Sequence, residues 1–225
     1  MSTIADRVHE VTSRIEASVG MAGRDPAAVK LIAATKSASI DQIAEVIQLG
    51  VTDLGENRAQ ELLAKAPELL NGLNHPDVHW HFIGALQRNK VKSLAPWVGL
   101  WQSVDRIELG ATLARVAPTA RVLVEVNLAS EAGKAGCDPQ LVPSLVNELR
   151  RLGLIVEGLM AIPPARLDPA RHFASLRILA ESLDLAELSM GMSDDFELAI
   201  SEGATMVRVG RGLFGDRSQL DAQRR

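Results

Sequence analysis

The sequence predicts an α/β chain folded as a single (β/α)8 TIM-type barrel with an extra N-terminal helix, one domain over residues 1–225. Three observations predict it. Eight short apolar runs alternate with stretches whose apolar residues recur three and four apart, and that alternation implies parallel strands joined by crossover helices. The 225 residues contain no linker, low-complexity segment or abrupt change of composition, a length that suits one large core and is short for two. The glycine fingerprint of an open doubly wound sheet is missing after the first run, which favours closure into a barrel.

The elements follow in order. An amphipathic helix opens the chain from about Ile4 to Val19. Strand-like runs then lie near Val29–Thr35, Val51–Gly55, Val78–Gly84 and Gly99–Val104, followed by Arg121–Leu128, Leu154–Ile162, Ala186–Met192 and Thr205–Gly210. Helical spacing between them is clear in Ile40, Ile43, Ala44 and Ile47 and in Leu141, Leu145, Val146 and Leu149. Ser39 and Asp138-Pro139 read as helix starts, and Gly50, Gly153 and Gly203 as helix stops.

Composition narrows the classes. A net charge of -4 gives no reason to expect nucleic acid or an acidic membrane as partner, so any basic site must be local. The single cysteine, Cys137, excludes an intramolecular disulfide framework and suits a reducing compartment. It follows Gly136 in a loop and reads as a bystander. The N-terminus lacks the basic start and apolar core of a signal peptide, and no apolar stretch reaches the ~20 residues that span a bilayer. The expectation is a cytoplasmic chain, and a monomer, since no interface patch stands out.

A barrel fixes where to look, because its chemistry gathers on the loops after the strand carboxyl ends. Lys36 ends the first run, and a lysine amine condenses with aldehydes to form a Schiff base. The alternative is a strand-end lysine that reaches into water. Strands seven and eight run into Gly191-Met192-Ser193 and Gly210-Arg211-Gly212, at the two loops where barrels commonly bind phosphate. Glycine backbone N–H groups, the Ser193 hydroxyl and the Arg211 charge suit an anion there. Ser193-Asp194-Asp195-Phe196 is also an apt helix N-cap, and its two acids would repel a dianion. Arg208 alternates with Met206 and Gly210. If that face is the interior, the guanidinium pairs with Glu125 or Glu157, or aims at a ligand ring atom. Asn57, after Gly55-Glu56, either caps the helix Arg58–Ala66 or reaches towards a ligand held by Lys36.

The ordered blocks Leu31-Ile32-Ala33-Ala34-Thr35-Lys36, Gly55-Glu56-Asn57 and His81-Phe82-Ile83-Gly84-Ala85-Leu86-Gln87 carry a resemblance. Gly158-Leu159-Met160-Ala161-Ile162-Pro163, Leu188-Ser189-Met190-Gly191-Met192-Ser193-Asp194-Asp195 and Met206-Val207-Arg208-Val209-Gly210-Arg211-Gly212-Leu213-Phe214-Gly215 complete it. Together they span nearly the whole chain, which resembles the pyridoxal 5'-phosphate (PLP) homeostasis proteins, relatives of the barrel domain of bacterial alanine racemase. The resemblance implies PLP as cofactor, joined to Lys36 as a Schiff base. It implies phosphate contacts from Ser193, Gly210, Arg211 and Gly212, Arg208 facing the pyridine nitrogen, and Asn57 near the ring. Arg211 stands where many relatives have threonine, and Arg58 where many have tyrosine.

The resemblance points to a binding protein in vitamin B6 homeostasis and cofactor supply, with PLP-dependent apo-enzymes as recipients, rather than to an enzyme. Racemases of this fold use a lysine and a tyrosine from a second domain as opposed bases. This chain has no tyrosine, and only a short polar tail follows Gly215. Three rivals remain. A class I aldolase-like enzyme, or a weak racemase, would use Lys36, with Glu56 as the one obvious acid/base partner for an aldolase. A metal-dependent hydrolase would use His79 and His81, which share a strand face, while His75 and His172 read as loop and helix residues. A nucleic-acid module would use Gln87-Arg88-Asn89-Lys90-Val91-Lys92, which reads better as a solvated helix start.

Overall fold

A computed structural model of the chain describes residues 2–36, 38–72, 78–131, 133–164 and 168–215. His75 and the tail after Gly215 lie outside the described residues. The strands are β1 (Lys30–Ala34), β2 (Asp53–Glu56), β3 (His79–Phe82), β4 (Val98–Val104), β5 (Arg121–Glu125), β6 (Ile155–Met160), β7 (Glu187–Ser189) and β8 (Met206–Val209). They close into a barrel in chain order, and β8 returns to pair in parallel with β1, Ile32 opposite Arg208 and Ala33 opposite Val209. The expected (β/α)8 architecture is therefore present. β7 stops three residues short of its expected end. Gly191 takes φ 91°, which L side chains rarely adopt, and turns the chain off the sheet while its carbonyl still accepts from Arg208 N–H at 3.0 Å.

The helices are α1 (Ile4–Met21), α2 (Ile40–Gln48), α3 (Ala59–Gly72), α4 (Val91–Leu94), α5 (Ile107–Val116), α6 (Val142–Arg151), α7 (Pro169–Ser182), α8 (Phe196–Ser201) and α9 (Arg211–Phe214). Ser39 caps α2 as expected, accepting from Gln42 N–H while the Gln42 side chain accepts in return. α6 begins at Val142, later than Asp138-Pro139 indicated, because Asp138 instead closes a turn by accepting from Gln140 N–H. α3 runs through Pro67 to Gly72 rather than stopping near Ala66.

The outer faces of the strands bury Ala33, Leu54, Phe82, Trp101, Val124, Leu159 and Val207 against Ile43, Leu62, Leu109, Val146, Leu176 and Ile200 of the helices. Each Val, Leu, Ile or Phe among them contributes roughly 1.5–3 kcal/mol. α9, after β8, is a single turn and covers little. α1 supplies the missing cover. Its Ile4, Val8, Val11, Ile15 and Val19 are buried where it packs against α2, α8 and α9. Arg14 ties it down by donating to Glu197 at 2.7 Å and lying 4.7 Å over the Phe196 ring, and Arg7 donates to the Leu213 carbonyl at 2.7 Å.

Inside the barrel, Ile32, Leu100, Leu123, Met160 and Met206 form a second apolar cluster. That cluster sets the inward parity of each strand, because successive side chains alternate. On β1 it places Lys30, Ile32 and Ala34 inward, and on β8 Met206 and Arg208.

Candidate functional site

Lys36 sits one residue beyond Thr35, at the carboxyl end of β1, and is exposed. The Thr35 side chain turns outward and is buried, so alternation returns Lys36 to the interior side at the barrel mouth. Thr35 is held on every side. Its N–H donates to the Gly55 carbonyl at 2.9 Å, and its hydroxyl lies 2.9 Å from Glu56 Oε2. Its carbonyl accepts from the Lys65 ammonium at 2.9 Å and from Ala38 N–H at 2.9 Å. Lys65 also donates to Glu56 at 2.8 Å and to Glu61 at 2.9 Å. A buried ion cluster between β2 and α3 thus anchors the backbone that carries Lys36.

Glu56 is consumed by that cluster. It is fully buried, and its Oε1 accepts from Asn57 N–H at 2.7 Å and Arg58 N–H at 3.3 Å. The carboxylate that the aldolase-like reading needed beside Lys36 therefore faces α3 instead. Asn57 does not cap α3 either: its side chain has no hydrogen-bond partner among the described residues. Its backbone is pinned by Gly84, where an added Cβ would lie 2.1 Å from the Asn57 carbonyl oxygen.

Arg208 projects from β8 into the interior and is buried. Neither carboxylate expected as its partner takes it. Glu157 is bound by Arg121, with contacts of 2.5 and 3.0 Å. Glu125 stands on β5, three strands round the barrel from β8, and makes no direct ion pair with it among the described residues. The near neighbours are β7 and β6, so Arg208 Nη1 donates to Ser189 Oγ at 2.6 Å and Nη2 to the Ala161 carbonyl at 3.0 Å. Burial pushes the guanidinium down to about 10, against the pull of Glu125 and Asp195, so it stays charged at neutral pH. Glu125 itself is raised to about 7, by burial first and the Asp105 charge second.

Ser193 is not a helix cap. Asp195 holds the cap position of α8, and Ser193 Oγ instead accepts from Gly212 N–H at 3.2 Å. This bond brings the β7 and β8 loops together beside the β1 end, since Gly210 continues the strand that pairs with β1. Arg211 forms a short ion pair with Asp194, and Asp195 accepts from Met192 N–H at 2.6 Å. Both acids that would repel an anion are engaged. The seven residues singled out from the sequence therefore fall at or near the carboxyl-terminal ends of β7, β8, β1 and β2, four strands that are contiguous because the barrel closes between β8 and β1.

Other readings fare differently. His79 is exposed, and His81 is committed to hydrogen bonds with Asp53 at 2.8 Å and Gln102 at 2.9 Å. No group of three metal-binding side chains occurs among the described residues. Arg88, Asn89 and Lys92 are exposed around the start of α4. Cys137 is buried in its loop, where its N–H donates to the Glu125 carbonyl at 2.7 Å and the chain bridges to Val126. Among the described residues no helix is long and apolar enough to cross a membrane. Sequence reasoning missed Thr35, Lys65, Gln102 and Ser189. The available signal was a polar residue inside an otherwise apolar strand run, as in Leu100-Trp101-Gln102.

Residues 11–218 match the family described as alanine racemase, N-terminal domain. The pyridoxal phosphate homeostasis protein of Pseudomonas aeruginosa is 42% identical over 227 residues, covering 96% of this chain and 97% of that protein. The chain belongs to the pyridoxal phosphate homeostasis protein family. A second family member, from Aquifex aeolicus, is 40% identical over 226 residues and covers 94% of this chain and 97% of its own. The structure of PipY of Synechococcus elongatus with PLP bound superposes with a TM-score of 0.83 at 35% identity, covering 95% of this chain and 100% of PipY.

Proposed function

We propose that this chain binds pyridoxal 5'-phosphate as a Schiff base on Lys36 and serves cofactor homeostasis and supply rather than turnover. The observation that carries the reading is the juxtaposition of an exposed amine at the end of β1 with a buried, charged guanidinium on the paired strand β8. The donor set fits the group. Lys36 offers an amine to the aldehyde, Arg208 offers N–H to a ring nitrogen that accepts, and the Ser193 hydroxyl with the Gly210–Gly212 backbone offers donors to phosphate. Gly212 has no room for a side chain, since a Cβ would lie 2.7 Å from Val209 Cγ1. Arg211, shared with Asp194, supplies adjustable charge at the same edge. Asn57, with its side chain unengaged among the described residues, would be free to contact the ring.

Bound pyridoxal phosphate supplies an electron sink for chemistry at an attached amine. The residues here restrain that chemistry. A cationic guanidinium at the ring nitrogen disfavours its protonation and weakens the sink. The chain has no tyrosine to act as a second base, and Glu56 is committed elsewhere. The relatives from Pseudomonas aeruginosa and Aquifex aeolicus, both pyridoxal phosphate homeostasis proteins, support the same reading. A carrier of this kind would exchange its cofactor with PLP-dependent apo-enzymes.

The test is an absorption spectrum of purified protein with added pyridoxal phosphate, before and after borohydride, with peptide mass mapping. A yellow protein, bleached on reduction and carrying a pyridoxyl adduct on Lys36, is expected. A protein that stays unmodified, or that modifies equally well as Lys36→Ala, would overturn the reading. Transfer of the cofactor to an apo-enzyme, without turnover of amino acids by the carrier, tests the homeostasis role.

A further inference from the structure

We infer that Gln102, together with Ser189 and His81, is a positioning residue for Arg208, through a one-way hydrogen-bond chain that crosses the barrel interior. The chain itself stands on geometry alone; its consequence for cofactor binding rests on the function proposed above.

The links run without a break. Arg208 Nη1 donates to Ser189 Oγ at 2.6 Å, and Ser189 donates to Gln102 Oε1 at 2.7 Å. Gln102 Nε2 meets His81 Nδ1 at 2.9 Å, and His81 Nε2 meets Asp53 Oδ1 at 2.8 Å. Lys30 lies 3.6 Å beyond, on the same Asp53 oxygen. Exposures of 4% for Arg208, 0% for Ser189 and Gln102 and 3% for His81 put these four links away from water, while Asp53 is half-buried at the far end. An unpaired group at any of them is costly, so one consistent proton arrangement is strongly selected.

That arrangement has a direction. Asp53 only accepts, so His81 Nε2 carries the proton and Nδ1 is bare. Bare Nδ1 needs a donor, which makes the facing Gln102 atom the amide nitrogen. The second hydrogen of that nitrogen has an acceptor as well, Met206 Sδ at 3.7 Å. The amide oxygen then faces Ser189 and takes its proton, leaving the Ser189 lone pairs for Arg208. The reverse orientation fails: Ser189 would face two donors with nowhere to place its own proton, and His81 would present a bare nitrogen to a carboxylate. Burial holds the His81 imidazole below its ordinary range despite Asp53, in keeping with a neutral ring.

The chain therefore begins on a cation at the carboxyl-terminal mouth and ends on an anion at the opposite end of the strands. Its effect is to hold one edge of the guanidinium on Ser189 while Nη2 is held on Ala161. The remaining N–H edge is left at a fixed angle towards a ring nitrogen.

The experiment has two parts. In ligand-free protein, nitrogen NMR of His81 at neutral pH is expected to show a protonated Nε2 and a bare Nδ1; the other tautomer would overturn the chain. Gln102→Glu sets a second carboxylate against the ring, with Asp53, Lys30 and His79 as the other charged or titratable neighbours. His81 is then expected to become an imidazolium, and a ring that stays neutral would overturn the assigned polarity. In the second part, Gln102→Leu is expected to bind pyridoxal phosphate about tenfold more weakly, with a shifted absorption maximum. Gln102→Glu keeps the Ser189 acceptor and is expected to restore the wild-type maximum. Unchanged affinity and spectrum in folded Gln102→Leu would overturn the positioning role. If that variant does not fold, Ser189→Ala cuts the same chain by removing one oxygen. Failure of the wild-type protein to take up pyridoxal phosphate would overturn the cofactor reading and the consequence for Arg208, while the NMR result judges the chain independently.

Discussion

The ammonium of Lys65 lies 2.9 Å from the carbonyl of Thr35, one residue before Lys36. The same ammonium lies 2.8 Å from Glu56, which in turn holds the Thr35 hydroxyl. A lysine on α3 thus sets the backbone from which the lysine at the mouth projects. Lys65→Met leaves Glu56 buried without its cation. The expected loss is about 3–5 kcal/mol, because an uncompensated buried charge costs more than the pair contributes. Denaturant unfolding checks it. Glu56→Gln added to Lys65→Met is expected to restore part of the loss, and strict additivity would show that the two residues are not coupled.

Glu125 makes stability depend on pH. Its folded carboxyl is raised from 4.5 to about 7, so between those values the native state holds a proton that the unfolded state releases. Stability therefore falls as pH rises through this window, by ~1–3 kcal/mol. Glu125→Gln is expected to flatten that slope and to be the more stable protein at pH 8. Urea midpoints at several pH values measure it, and an identical slope in the variant would assign the dependence to another group.

Gly84 lies directly against the Asn57 backbone. With an added Cβ 2.1 Å from the Asn57 carbonyl oxygen and 2.7 Å from its Cα, Gly84→Ala must push the loop away. The expected cost is ~1–3 kcal/mol of overpacking, with weaker pyridoxal phosphate binding. A thermal melt and a cofactor titration on the same sample would reveal both, and a variant that melts and binds like wild type would show that the loop yields freely.

Arg211 and Asp194 separate stability from recognition. Their side chains are 57% and 78% exposed, so breaking the pair is expected to change stability by less than ~1 kcal/mol. Arg211→Ala is expected to weaken pyridoxal phosphate more than pyridoxal, and Asp194→Asn to strengthen the phosphate ester selectively. Equal changes for both ligands would remove Arg211 from the phosphate edge.

Most of the architecture was legible in the sequence. Short apolar runs alternating with 3.6-residue patterns located all eight strands, because strands buried on both faces read as continuous apolar runs while each helix carries its own periodicity. Strand ends were less legible. β7 ends early because Gly191 turns away from the sheet, a backbone event that hydrophobicity does not encode. For the site, Lys36, Arg208 and the glycines of strand eight were visible as residue types at strand ends.

What the sequence determined by itself is the order of elements, the closed parallel barrel and the family, since all three follow from local pattern and from motifs contiguous along the chain. Tertiary structure decided which polar groups meet. Thr35, Glu56 and Lys65 come together from β1, β2 and α3, and Asp53, His81, Gln102, Ser189 and Arg208 from five strands. Parity told only that Arg208 and Glu125 both face inward. Barrel closure decided that Ser189 and Ala161, not Glu125, lie within reach, because hydrogen bonding depends on distances of about 3 Å that strand register and curvature set together.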